Sequence, residues 1–163
     1  MMQSEINMYI GKNIDSIDGT VLVNEVDIPN SKTYQWDAKK EFLGIPLDFV
    51  VIRTDSSNII TNIIFSFEEG FDQNLYQLMV AKYGDPTTMF KMEIIEAGKP
   101  IEHEHFLSTR KRGIAKPCSF GENPLYIGWD KTSYKIEVEI GVDSNRTRTR
   151  IVFGSQNYIL KQL

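Results

Sequence analysis

Apolar and polar residues alternate with period two through the last third of the chain, in three runs. Leu125, Ile127 and Trp129 alternate with Tyr126 and Gly128. Tyr134, Ile136, Val138, Ile140 and Val142 alternate with Lys135, Glu137 and Glu139. Thr147, Thr149, Ile151 and Phe153 alternate with Arg146, Arg148 and Arg150. Successive side chains of a strand point to opposite faces, so each run reads as a strand with one buried side. Asp130-Lys131-Thr132-Ser133 and Asp143-Ser144-Asn145 separate the runs with turn-forming residues. A three-stranded antiparallel meander over 125–153 follows. Pairing the first two runs about Lys131-Thr132 sets Trp129 opposite Tyr134, Ile127 opposite Ile136 and Leu125 opposite Val138. Pairing the next two about Ser144-Asn145 sets Val142 opposite Thr147, Ile140 opposite Thr149 and Ile136 opposite Phe153. A one-residue slip would oppose apolar and polar faces throughout.

A second hairpin is expected over 47–67, where Leu47–Thr54 and Ile59–Phe67 flank Asp55-Ser56-Ser57-Asn58. Val50, Ile52, Ile63 and Phe65 form one apolar face. Phe49, Val51 and Ile64 leave the other half apolar, which suits central strands or strands with a partner on their second side. Phe71, Leu75, Leu78, Met79 and Tyr83 then fall at helical spacing, predicting a helix over 72–83 that ends at Gly84 ahead of Pro86. Phe90, Met92 and Ile94 suggest a further strand over 89–96. Near the start, Asn13–Asp18 reads as a helical turn and Val21–Ile28 as a strand. The fold class is therefore α+β: one antiparallel sheet on one main helix, in a single domain spanning 1–163. This order is similar to a layout common among small bacterial α+β domains over roughly residues 47–153, and that likeness brings no site with it.

From 97 to 124 no period is sustained, and Gly98, Pro100, Gly113, Pro117, Gly121 and Pro124 punctuate the segment. It reads as an irregular charged insertion, which in a compact domain is either functional or conceals an element. The element most in keeping with the sequence is a strand over 101–107 pairing with 90–96 across Gly98-Lys99.

Composition narrows the function classes. The chain has 163 residues, of which 41% are hydrophobic and 25% charged, so it can fold without a metal or disulfide. Cys118 is the only cysteine, which rules out a disulfide scaffold and suits a reducing compartment. No basic-then-apolar leader opens the sequence, and no apolar run approaches the ~20 residues of a membrane span. A cytoplasmic protein with no membrane partner is expected. The net charge of −4 divides unevenly. Residues 1–98 carry seven Lys and Arg against fifteen Asp and Glu, a net of −8, and residues 99–163 carry eleven against seven, a net of +4.

Three sets of residues are candidates for chemistry. His103 and His105 are the only histidines, and on a strand they would point to one side ~6.6 Å apart, as a divalent transition metal requires. Glu102, Glu104 and Cys118 are the further ligands within reach by sequence, and the His-Glu-x-x-His spacing fails because Leu107 stands in place of the second His. Cys118 is also a candidate nucleophile, with Lys116 to lower its pKa and either His as base. Arg110, Lys111, Arg112 and Lys116 put four cations in seven residues with no acid among them, a patch for an anionic ligand or an acidic protein. No aromatic residue interleaves with them and the sequence pI is near 5.2, which argues against nucleic acid. On the last strand, Arg146 and Arg150 find Asp143 and Glu139 opposite them, and Arg148 faces Gly141 and adds to the cationic candidates. No nucleotide-binding, hydrolase or redox motif is present. The sequence thus points to a non-catalytic domain, without cofactor, that binds another protein as an adaptor or immunity-type inhibitor. Metal binding or catalysis at the His pair, and binding of an anion or nucleic acid at Arg110–Lys116, are the alternatives.

Overall fold

In the computed structural model the described residues are 5–23, 29–37, 40–47, 49–67, 70–102, 107–143 and 146–156. The strands are β1 (Thr20–Val23), β2 (Ser31–Trp36), β3 (Lys40–Phe42), β4 (Ile45–Leu47), β5 (Phe49–Asp55) and β6 (Ile60–Phe67). After the helix α1 (Gln73–Tyr83) come β7 (Thr88–Glu102), β8 (Leu107–Pro117), β9 (Tyr126–Asp130), β10 (Tyr134–Asp143) and β11 (Arg146–Ser155). Nine strands form one antiparallel sheet in the order β1-β2-β5-β6-β11-β10-β9-β7-β8, and β3 and β4 make a separate two-stranded hairpin. The α+β class holds, with a sheet much larger than a hairpin and a meander. Of the two arrangements that suited β5 and β6, the sheet shows them as central strands.

The β10–β11 register matches the one dictated by alternation: Val142 opposite Thr147, Ile140 opposite Thr149 and Ile136 opposite Phe153. The β9–β10 pairing differs. Trp129 lies opposite Ile136 and Ile127 opposite Val138, because the turn is closed by the Lys131 amide bonding the Tyr134 carbonyl and so centres on Thr132-Ser133. Moving a turn by one residue shifts the pairing by two, which returns every side chain to its expected face.

That face carries the core. Val50, Ile52, Ile63, Phe65, Ile127, Trp129, Ile136, Val138, Ile151 and Phe153 are buried on it. Helix α1 covers part of it with Leu75, Met79 and Tyr83, and Phe71 just ahead of the helix is buried in the same cluster. Asp72 caps the helix by accepting from the Leu75 amide at 2.8 Å, and Gly84 ends it at φ 82°, a conformation that disfavours any residue with a Cβ. The Trp129 indole N–H donates to the Gly84 carbonyl at 2.8 Å, tying the helix end to β9. Leu78, expected in the apolar stripe, is 39% exposed. The buried arc is displaced toward Tyr76, whose ring stacks on Phe120 at 4.2 Å, and Leu78 is left on the opposite shoulder. The β3–β4 hairpin turns at Leu43 and Gly44 and adds Phe42 to the same face, 4.8 Å from the Phe65 ring. The turn Ile14–Ser16, capped by Asn13, adds buried Ile14 and Ile17. No helix among the described residues is long and apolar enough to cross a membrane.

The expected irregular insertion over 97–124 is a correction. Residues 97–102 continue β7, and 107–117 form β8, which pairs antiparallel with it from Phe90↔Pro117 out to Glu102↔Leu107. The chain does not reverse at Gly98-Lys99, since β7 runs through them to Glu102, and β7 carries two register shifts, between Ile94 and Glu96 and between Ala97 and Pro100. Bulges of this kind let a strand pass residues such as Gly98 and Pro100 without ending.

Candidate functional site

Strand β7 joins the body only at its root. It pairs with β9 through Thr88, Met89 and Phe90, and the Leu125 amide adds one bond to the Phe90 carbonyl at 3.0 Å. From Lys91 outward, among the described residues, β7 pairs with β8 alone. Leu107 to Pro117 spans ten residue rises, so the hairpin is a two-stranded ribbon about 33 Å long. It protrudes in the same direction as the far end of β10, because β7 and β10 both run antiparallel to β9.

The root is firmly clamped. The Phe90 and Tyr126 rings stack at 4.8 Å, and the Tyr126 hydroxyl donates to Glu137 Oε1 at 2.8 Å. Burial, and next that bond to Glu137, push the Tyr126 hydroxyl pKa well up. On the core side of β7, Lys91 Nζ donates to Glu122 Oε1 at 2.8 Å. Glu122 Oε2 accepts from the Ser119 amide at 2.8 Å and its hydroxyl at 3.1 Å, closing a capping box at the 3-10 turn Phe120–Glu122. The bond from Lys91, then those from Ser119, hold the Glu122 carboxyl down at about 2. Phe120 of that turn lies on Tyr76 of α1, so the β8–β9 connection is pinned to the helix.

Beyond the root, apolar side chains lie open on both sides of the ribbon. Met92 is 46% exposed and Ile94 58%; Ile95 is 52% exposed and Ile114 41%. The register puts Met92 and Ile94 with Ala115 and Gly113 on one side, and Ile114 on the other with Arg112 and Lys116.

The predicted cations divide accordingly. Arg110, Lys111, Arg112 and Lys116 all fall on β8. Arg112 is exposed and Lys116 Nζ lies 2.5 Å from Glu93 Oε2, both groups of that pair being partly exposed. Lys111 occupies the position opposite Ala97, and its side chain and that of Arg110 lie outside the described residues. Arg148 does not join them. It lies opposite Gly141 on β11, with β10, β9 and β7 intervening, so it stands about 19 Å away across the sheet. Register parity also places it on the face opposite to Arg112 and Lys116. On that face Arg150 pairs with Glu139 at 3.4 Å, as cross-strand opposition requires.

His103 and His105 lie outside the described residues. Glu102 is the last residue of β7, with its side chain outside them too. Cys118 follows Pro117 at the root, its amide donating to the Met89 carbonyl, so some 33 Å of ribbon separates it from Glu102. These two candidate ligands cannot serve one ion. Among the described residues no three His, Cys, Asp or Glu side chains converge on a metal position. The Cys118 thiol is not activated as expected: burial and then Glu122 raise its pKa, Lys91 opposes them, and Lys116 is engaged by Glu93. Comparison of the chain with family models, curated proteins and solved structures finds no match.

Sequence reasoning reached the cations of the site and missed its apolar half. Met92 and Ile94 are visible as alternating residues, yet alternation alone assigns them to a core they do not meet.

Proposed function

We propose that this chain is a non-catalytic, cytoplasmic domain that binds another protein, in the manner of an adaptor or immunity-type inhibitor, and that the β7–β8 hairpin is its binding element. The observation that carries this reading is the open ribbon itself. Among the described residues no third strand pairs with it beyond the root, and an isolated two-stranded hairpin is marginally stable in water. This one exposes Met92, Ile94, Ile95 and Ile114 while its root is held by stacking, a capping box and an ion pair. Exposed apolar side chains interleaved with charge suit a protein partner, whose surface offers both. They suit a polyphosphate poorly, and Lys91 and Lys116 are already paired with Glu122 and Glu93.

The test is site-specific crosslinking in the source cell. A photoreactive phenylalanine replacing Ile94 is expected to give a discrete protein adduct, and the same group replacing exposed Thr132 in the β9–β10 turn is expected to give none. Failure to crosslink at Ile94, or the same adducts at both positions, overturns the reading.

A further inference from the structure

Resting on that reading, we propose that the hairpin captures its partner by strand addition. An extended segment pairs with the outer edge of β8, and this segment alternates acidic with large apolar residues. β8 is the terminal strand of the sheet, and among the described residues nothing pairs with its outer side over Leu107–Pro117. The opposite edge strand, β1, has only four residues. The Cys118 amide donates inward to the Met89 carbonyl at 3.2 Å, and backbone direction alternates along a strand. The N–H and C=O groups of Ala115 and Gly113 therefore face outward, a ready template for another strand. Pro117, which lacks an N–H, sets the inner limit of pairing.

Charge selects what can pair there. β8 carries Arg110, Lys111, Arg112 and Lys116 and no acidic residue. A second copy pairing β8 with β8 would set cations beside cations, whereas an acidic strand is drawn in. The two sides of β8 then dictate the alternation. On one side an incoming residue sits beside exposed Arg112, where a carboxylate is favoured, while Lys116 on that side is held by Glu93. On the other it sits beside Gly113 and Ala115, next to exposed Met92 and Ile94. Met92 lies over Gly113, where even a Cβ would come within 2.9 Å of its terminal methyl. The low profile of Gly113 and Ala115 lets a large apolar side chain on the new strand reach this methionine and isoleucine.

The probe is a nine-residue peptide alternating glutamate and valine, with blocked ends and a fluorescent label, added to the full chain. Its valine/lysine counterpart and a version with a central proline are the controls. Anisotropy is expected to detect the acidic peptide and to show the lysine and proline peptides at least tenfold weaker. Hydrogen exchange is expected to slow at the Ala115 and Gly113 amides. Arg110→Glu combined with Arg112→Glu is expected to weaken the acidic peptide at least tenfold without changing the melting temperature. No binding, binding without protection of those two amides, or equal binding of either control overturns strand addition. A discrete Ile94 adduct alongside any of these failures leaves the protein-binding reading standing with a different mode of contact. Loss of the adduct removes both.

Discussion

At the scale of single residues, Glu122 does the most for its surroundings. It caps the turn at Ser119 and holds Lys91 at the foot of the hairpin, and these bonds depress its pKa from the ordinary carboxylate range near 4.3 to about 2. A carboxyl whose folded pKa lies below its unfolded value stabilises the fold above the unfolded pKa. That contribution is lost as pH falls through the interval toward 2. An NMR titration is expected to place the Glu122 midpoint near 2, and Glu122→Gln is expected to flatten the melting temperature's dependence on pH between about 4.3 and 2. A midpoint at 4 or above contradicts the clamp. The sequence hid this residue. Ser119 and Glu122 stand three apart, as a capping box requires, but Gly121 and Pro124 around them made the segment read as a loop.

Among the elements, the hairpin and the helix stand in opposite relations to the core. Helix α1 has Met79 fully buried beneath it, so Met79→Ala should cost about 2–5 kcal/mol. Beyond Glu93 and Ile114 the hairpin pairs, among the described residues, with no strand outside itself, and Ile94 and Ile95 are exposed there. Joining Glu93 to Ile114 through Asn-Gly should therefore change stability by less than about 1 kcal/mol, a shift of roughly 2–4 °C in Tm. Thermal unfolding of the two variants checks the contrast, and a large loss on shortening would mean the ribbon is integral to the body. The same contrast explains which elements were legible. β10 and β11 bury one face, so burial imposed alternation and fixed the register. On β7 and β8 beyond the root Met92, Ile94, Ile95 and Ile114 stand exposed, so burial did not impose alternation there, and the sequence looks irregular while the backbone is a regular pair of strands.

For the whole molecule, sheet order distributes the charge. Strands β1, β2, β5 and β6, from the acidic part of the chain, occupy one end, and the cationic β8 closes the other. Those four strands hold one acidic residue, Asp55, against Lys32 and Arg53, and none of them adjoins β8, whose cations guard a long open edge against pairing with another copy. Replacing Arg110, Lys111 and Arg112 together with Gln should leave the fold intact and produce concentration-dependent association, read by light scattering. A variant that stays monomeric at all concentrations would show that these charges are not what protects the edge.

Local rules reach as far as neighbours in sequence. Helix α1, its cap and stop, the 47–67 hairpin and the meander with its buried face all follow from period, turn chemistry and the cost of wetting apolar side chains. Even the shifted β9–β10 turn respected that face, because a two-residue shift leaves alternation unchanged. Tertiary structure alone decided that β6 lies beside β11, which joins the two halves in one sheet, and that β9 meets β7 only at its root. Those pairings link residues far apart in the chain and depend on which edges are open when the sheet assembles. They also decide the fate of Met92 and Ile94, whose alternation suggested a strand in the sequence and which stand exposed on it.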